Sequence, residues 1–194
     1  RPNRALLGIG ENALQPVTLD FRTQPHFMAF ADAGSGKTTV LRNIVESIVA
    51  TTTPEEAKIL LVDYRRSLLG EFEGEHLAGY AATESALGPM VEHLERVLDE
   101  RMPGPEVTPD QLRARSWWSG PRIHLLVDDL DLVITGAGNP LQPLTRFLPH
   151  ARDIGLSVVL ARRSAGAARV LYDPFVARIR DLGGAGLIMS GSRE

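Results

Sequence analysis

Hydrophobic residues fall along the chain in short β-rich runs separated by stretches with helical spacing, the alternation of an α/β protein. Candidate strands are Ala5–Gly10, Val17–Phe21, Phe27–Ala31, Lys58–Asp63, Leu77–Ala81, Ile123–Val127, Leu156–Leu160 and Gly186–Met189. Ile59-Leu60-Leu61-Val62 and Leu125-Leu126-Val127 contain no polar position. Both faces of these strands are expected to be covered, as in the middle of a parallel sheet. One helix is predicted from Thr38 to about Ala50. A second is capped by Thr83 and runs to about Arg101, with Leu87, Met90, Val91, Leu94, Val97 and Leu98 on one stripe. Thr108-Pro109-Asp110-Gln111 combines an N-cap, a first-turn proline and a capping-box glutamine. Asn139-Pro140 and Asp173-Pro174 repeat the cap-then-proline signal. No repeat or long linker interrupts the pattern, so one domain over residues 1–194 is expected, with Met102–Pro109 and Thr135–Pro143 as its loop-rich stretches.

A chain of 194 residues buries a sizeable core without a metal or disulfide staple. Cysteine is absent, which removes disulfides, thiolate catalysis, iron–sulfur clusters and cysteine-ligated zinc together. With 21 basic and 24 acidic residues the formal net charge is -3, without the basic excess of most nucleic-acid binders. No apolar run approaches the roughly 18 residues of a membrane span. The chain opens Arg1-Pro2-Asn3, and a fragment of a longer, multi-domain polypeptide is expected. Only Lys37 and Lys58 are lysines, which makes the position of Lys37 conspicuous.

Lys37 lies in Ala31-Asp32-Ala33-Gly34-Ser35-Gly36-Lys37-Thr38, directly after an apolar strand and at the start of a helix. This is the strand–loop–helix setting of a phosphate-binding P-loop. Asp32, Ala33, Gly34, Ser35, Gly36, Lys37, Thr38 and Thr39 are the candidate nucleotide-binding residues. Gly34 and Gly36 let backbone N–H groups turn inward around phosphates, and the helix N-terminus adds its positive dipole end. Lys37 is placed to reach the β- and γ-phosphates of ATP, and the Thr38 hydroxyl to hold Mg²⁺. One position departs from the motif: Ala31 stands where its first glycine is expected. Alanine avoids positive φ, so either the loop entry is strained or that position accepts a Cβ.

Ile123-His124-Leu125-Leu126-Val127-Asp128-Asp129 ends an apolar strand in adjacent acids, the form of a Walker B element at the carboxyl end of a sheet strand. Asp128 is the candidate Mg²⁺ acid. Asp129 falls where many ATPases of this class carry the glutamate that polarises attacking water, and it is one methylene shorter. Capping of the next segment by Asp129 or Asp131 is the competing role. A further buried strand, Lys58–Asp63, separates the two motifs in sequence, so the acids do not lie on the strand that follows the P-loop helix. That order suggests a RecA-like fold of the ASCE branch, a central, mainly parallel sheet flanked by helices with an extra strand between the motif-bearing strands. Leu156–Leu160 ends in Ala161-Arg162-Arg163-Ser164, and its tip is expected beside the P-loop, where the arginines either sense a γ-phosphate or remain solvated.

The five histidines show no metal-ligand spacing, and His124 is expected as a satisfied buried residue. One of Trp117 and Trp118 is expected to pack in the core, and for the other packing is favoured over a partner or adenine contact.

Leu7-Gly8-Ile9-Gly10-Glu11, Phe30–Thr38, Leu61-Val62-Asp63-Tyr64-Arg65-Arg66, Ser116-Trp117-Trp118-Ser119-Gly120-Pro121, Val127-Asp128-Asp129 and Gly155–Ser164 occur in that order. Together they resemble the FtsK/SpoIIIE-type ATPase domains of the EccC family, the coupling ATPases of actinobacterial type VII (ESX) secretion, most of all the third and last of the tandem domains. The resemblance implies nucleotide at subunit interfaces of a homo-hexamer, other ATPase domains on the same chain, and a parent protein anchored in the inner membrane with this domain on its cytoplasmic face. It also implies WXG100-class (Esx-type) secreted proteins as partners, bound through a C-terminal signal at the terminal ATPase domain. An arginine from a neighbouring subunit is implied at the γ-phosphate, with Arg101 the first candidate by position and Arg163 the second.

Three readings stay open at this level. One is an ATP-hydrolysing motor module in which Lys37, Asp129 and a trans arginine carry catalysis. Another is a catalytically weak nucleotide-binding module that mainly docks the secretion signal, which Ala31 and Asp129 favour. The last is a DNA translocase, disfavoured by the acidic balance, and no nucleic-acid partner is expected.

Overall fold

Six strands pair in parallel into one sheet of order β5-β4-β6-β7-β3-β8. The computed structural model describes residues 4–10, 14–32, 34–166 and 170–189. The strands are β3 (His26–Ala31), β4 (Ala57–Asp63), β5 (Leu77–Ala81), β6 (Arg122–Asp128), β7 (Leu156–Arg163) and β8 (Ala185–Met189). A separate antiparallel pair, β1 (Arg4–Ile9) and β2 (Pro16–Asp20), precedes them. Every strand predicted from the hydrophobic runs is present. The central strands β4 and β6 are buried along almost their whole length, because a parallel sheet covered on both faces leaves no side for polar residues.

Helices cover the two faces unequally. Helix α1 (Lys37–Thr51) and the β1–β2 pair lie over one face, around Phe27, Ala29, Ile59, Leu61, Leu126 and Val159. Leu41, Ile44 and Ile48 of α1 are completely or almost completely buried there. At about 1.5–3 kcal/mol for each such side chain, this stripe fixes the helix and with it the loop at its N-terminus. The opposite face is covered by α2 (Glu84–Arg101), a 3₁₀ helix (Gln142–His150), α5 (Ala151–Ile154) and α6 (Pro174–Asp181). Two short helices, α3 (Pro109–Ala114) and α4 (Leu130–Val133), complete the described elements.

The start signals act as predicted, with one adjustment. Thr83 accepts from the Ala86 N–H, Thr108 and Gln111 form the reciprocal capping box, and Asp173 accepts from the N–H groups of Phe175 and Val176. Asn139 accepts from the Leu141 N–H at 2.9 Å, but regular 3₁₀ bonding begins only at Gln142. With Pro143 close behind and lacking an N–H, the chain tightens into a 3₁₀ helix instead of entering an α-helix at Pro140.

His124 corrects an expectation. It is fully buried, with its ring 4.8 Å from that of Phe21, yet neither ring nitrogen has a hydrogen-bond partner among the described residues. Its register partner Ser157 is equally buried, and its hydroxyl is also without a partner among those residues. Burial, reinforced by the nearby Arg122 charge, lowers the His124 pKa to about 3, so the ring is neutral at physiological pH.

Candidate nucleotide site

The P-loop leaves the carboxyl end of β3. Ala31, its last residue, is fully buried and paired with Arg163 of β7 on one side and Met189 of β8 on the other. Ala31 is not among the residues with positive φ. The missing glycine therefore introduces no strain, because the position belongs to the strand and only the residues after it turn. Gly34 and Gly36, at φ 76° and 93°, carry that turn, in a region costly for a side-chain-bearing residue. The Asp32 carbonyl accepts from the Ser35 N–H at 3.2 Å and from Lys37 Nζ at 3.4 Å. Lys37 is thus held along the loop at only 8 % exposure. Thr39, one residue into α1 from Thr38, is exposed, and Ala33 lies outside the described residues.

Strand β7 lies between β3 and β6, so the two motif-bearing strands are one strand apart. That spacing lets the start of α1 meet the end of β6. Thr38 Oγ1 donates to Asp128 Oδ2 at 2.9 Å across ninety residues of sequence. Asp128 is 1 % exposed. Burial raises its pKa, helped by the charges of Asp129 and Asp63, while the Thr38 hydroxyl and the Asp129 N–H pull it down. Asp63, the register partner of Asp128 on β4, leaves Oδ1 buried without a partner among the described residues. Among the described residues no group of three His, Asp or Glu side chains forms a metal cage. This donor set fits Mg²⁺, which characteristically takes one or two protein ligands and completes its shell with water and substrate phosphates. A cation beside Thr38 and Asp128 would offset the electrostatic cost of the buried carboxylate.

Asp129 does not cap α4. It takes the N-cap position at φ 44° and ψ 60°, but its carboxylate makes no cap hydrogen bond and forms an ion pair with Arg65 Nε. Asp131 ties two tips together: one carboxylate oxygen pairs with Arg162 at 2.7 Å, and the other accepts from the Arg163 N–H at 3.1 Å. Arg162 is 4 % exposed and committed inward, whereas Arg163 is exposed at the tip beside Ala31.

Arg101 is the last residue of α2. At 6 % exposure it donates to the Ile154 carbonyl at 3.2 Å and stacks 4.3 Å from the centre of the Trp118 ring. Neither tryptophan reaches the core: both are half-buried against the chain, with the Trp117 indole N–H on the Arg101 carbonyl and that of Trp118 on the Asp153 carbonyl, each at 2.8 Å. The helix-end position that suggested a trans arginine is instead enclosed by the chain's own Trp118, a contact invisible to sequence spacing. Arg65, missed at the sequence level as a site residue, was signalled only by its place after a β4 strand ending in Asp63.

Comparison with known proteins agrees with this geometry. The FtsK/SpoIIIE family model matches residues 2–101. The ESX-4 secretion system protein EccC4 of Mycobacterium tuberculosis is 50 % identical over 186 residues, covering 96 % of this chain and 15 % of that protein. The ESX secretion system protein EccC of Thermomonospora curvata is 45 % identical over 191 residues, covering 98 % of this chain and 14 % of that protein. The chain therefore spans about a seventh of the length of these curated relatives. The cytoplasmic domain of the T. curvata type VII secretion ATPase EccC superposes with a TM-score of 0.94 over 98 % of this chain and 22 % of that one, at 45 % identity. Its ATPases 2 and 3, solved in complex with a signal sequence peptide, superpose at 0.93 over 98 % of this chain and 34 % of that one, again at 45 % identity. With the P-loop, the buried acid and the strand order all accounted for, the chain belongs to the FtsK/SpoIIIE family.

Proposed function

We propose that this domain binds and hydrolyses Mg·ATP as part of a type VII secretion motor. The observation that carries the reading is the 2.9 Å contact between Thr38 and Asp128, which joins the P-loop to the buried acid in one metal-binding arrangement. Bound Mg²⁺ would supply charge neutralisation at the phosphate oxygens. Thr38 and Asp128 are the residues to hold it. Asp32 and residues 34–39, with the positive φ of Gly34 and Gly36, form the phosphate cradle, and Lys37 adds a cation at its rim. Asp129 is the residue to orient the attacking water. Arg163, exposed in register with Ala31, is a better placed arginine for the γ-phosphate than the enclosed Arg101.

This reading extends to the parent protein: tandem ATPase domains on one chain, assembly as a homo-hexamer, attachment to the cytoplasmic face of the membrane, and capture of WXG100-class proteins through a C-terminal signal. A second reading, a nucleotide-binding module that mainly docks that signal, is favoured by one observation. One oxygen of the Asp129 carboxylate is engaged by Arg65, which competes with water for it.

Calorimetric titration of Mg·ATP beside a Lys37→Ala control tests the proposal. Binding that is lost in the variant is the expected result. Absence of binding by the native protein would overturn it and leave the fold as a docking platform.

A further inference from the structure

We infer that Arg65 is a latch on Asp129: their ion pair holds the carboxylate away from attacking water, and its release sets the rate of turnover. The inference rests on the hydrolysis reading above and deepens it by assigning a positioning residue to that site.

Two rigid supports face each other across a movable arm. On one side, Asp129 is fixed by its backbone. It sits in the left-handed region at φ 44°, which aspartate tolerates better than most residues. Its N–H donates to Asp128 Oδ1 at 2.9 Å. The carboxylate is directed to Arg65, with the Asp129 side chain 11 % exposed. On the other side, the turn after β4 is held by Asp63, whose Oδ2 accepts from the Leu68 N–H at 2.7 Å and from the Tyr80 hydroxyl at 2.8 Å. The Asp63 carbonyl accepts from the Arg66 N–H at 3.1 Å, and Arg66 itself adopts φ 59°. The base of Arg65 is therefore fixed, and the long side chain that bridges to Asp129 is 48 % exposed.

The chemistry follows from that asymmetry. A carboxylate oxygen held against a guanidinium is turned towards that cation, so it is poorly placed to orient a water molecule. The acceptor is nearly enclosed while the cation is half in solvent, so the arginine is the partner that leaves. An anionic group arriving beside the ends of β4 and β6, from a nucleotide phosphate or a neighbouring subunit's carboxylate, would draw Arg65 away and free Asp129. A purely structural ion pair on the same turn would affect stability without selectively changing turnover.

The test measures steady-state ATP turnover and, separately, affinity for a fluorescent ATP analogue. It uses the polypeptide that carries this domain, with the P-loop lysine of every other ATPase module replaced by alanine. Arg65→Gln is expected to raise kcat about tenfold, a part of what a positioned general base supplies, with nucleotide Kd within twofold of native. Arg65→Lys, which keeps the cation, is expected to stay near native turnover. In an Asp129→Asn background the gain from Arg65→Gln should disappear. Unchanged or lower kcat in Arg65→Gln with nucleotide still bound would overturn the latch while leaving nucleotide binding intact, as would a gain that persists without Asp129. Failure of the native protein to bind the analogue would remove the hydrolysis reading and the latch with it.

Discussion

The Thr38 hydroxyl donates to Asp128 Oδ2 at 2.9 Å, and this one hydrogen bond joins the start of the helix after β3 to the end of β6. It places a neutral donor where the family's chemistry calls for a divalent cation, and the nearly fully buried Asp128 carboxylate makes no ion pair among the described residues. Stability and function are therefore opposed at this residue, with a measurable consequence.

Asp128→Asn is expected to stabilise the nucleotide-free protein while abolishing Mg²⁺-dependent ATP binding. Burial raises the Asp128 pKa, so as pH rises through the ordinary carboxylate range the unfolded chain ionises first and folding loses free energy. The penalty is complete above the raised value and absent below the ordinary one. Asparagine keeps an acceptor for Thr38 and carries no charge. An increase in Tm of about 2–4 °C at neutral pH, the effect of roughly 1 kcal/mol in a domain of this size, should shrink on acidification. Differential scanning calorimetry across pH, with ATP titration, checks both halves.

Arg101→Ala is expected to cost stability and leave the nucleotide site intact. The side chain contributes a hydrogen bond to the Ile154 carbonyl and a cation–π contact with Trp118, together about 2 kcal/mol. Urea unfolding followed by tryptophan fluorescence should show that loss. ATP turnover of the assembled protein, measured well below its melting transition, should change by less than twofold. A trans arginine finger would instead cost on the order of 10³-fold, and a loss of that size would return Arg101 to the active site.

His124→Leu should flatten the acid limb of the stability curve. The ring is neutral in the folded protein, with its pKa lowered to about 3 by burial, while in the unfolded chain it titrates near 6.5. The unfolded state then binds the extra proton between those values, so stability present above pH 6.5 is lost as pH falls through the window. Leucine removes this term and the two unpartnered nitrogens. Equal or higher stability at pH 7, with an advantage that widens towards pH 4, is the expected result; a variant markedly weaker at pH 7 would show that His124 is satisfied after all.

Much of the architecture was legible in the amino-acid sequence because it depends on local periodicity. Apolar runs as continuous as Ile59–Val62 have no stable place except inside a covered sheet, and the caps at Thr83, Thr108 and Asp173 satisfy orphan N–H groups within a few residues. The P-loop was legible for the same reason, since glycine at positions 34 and 36 followed by Lys37 and Thr38 specifies backbone geometry over one turn. Ala31 looked like a defect in that motif only because sequence does not show that the strand continues through it.

What remained hidden was partner choice among charged side chains. Nothing in spacing distinguishes Arg65, Arg101, Arg162 and Arg163. Each follows or ends an element, and for Arg65, Arg101 and Arg162 the carboxylate, carbonyl or ring that the side chain meets comes within reach only after the strands are ordered. The placement of β7 between β3 and β6 brings Asp131 to Arg162, and the β4–β6 pairing brings Arg65 to Asp129. Packing of α2 against the sheet closes Trp118 over Arg101. Hydrophobic burial is written in the sequence because it needs only a pattern, whereas long-range ion pairs need the three-dimensional position of both ends.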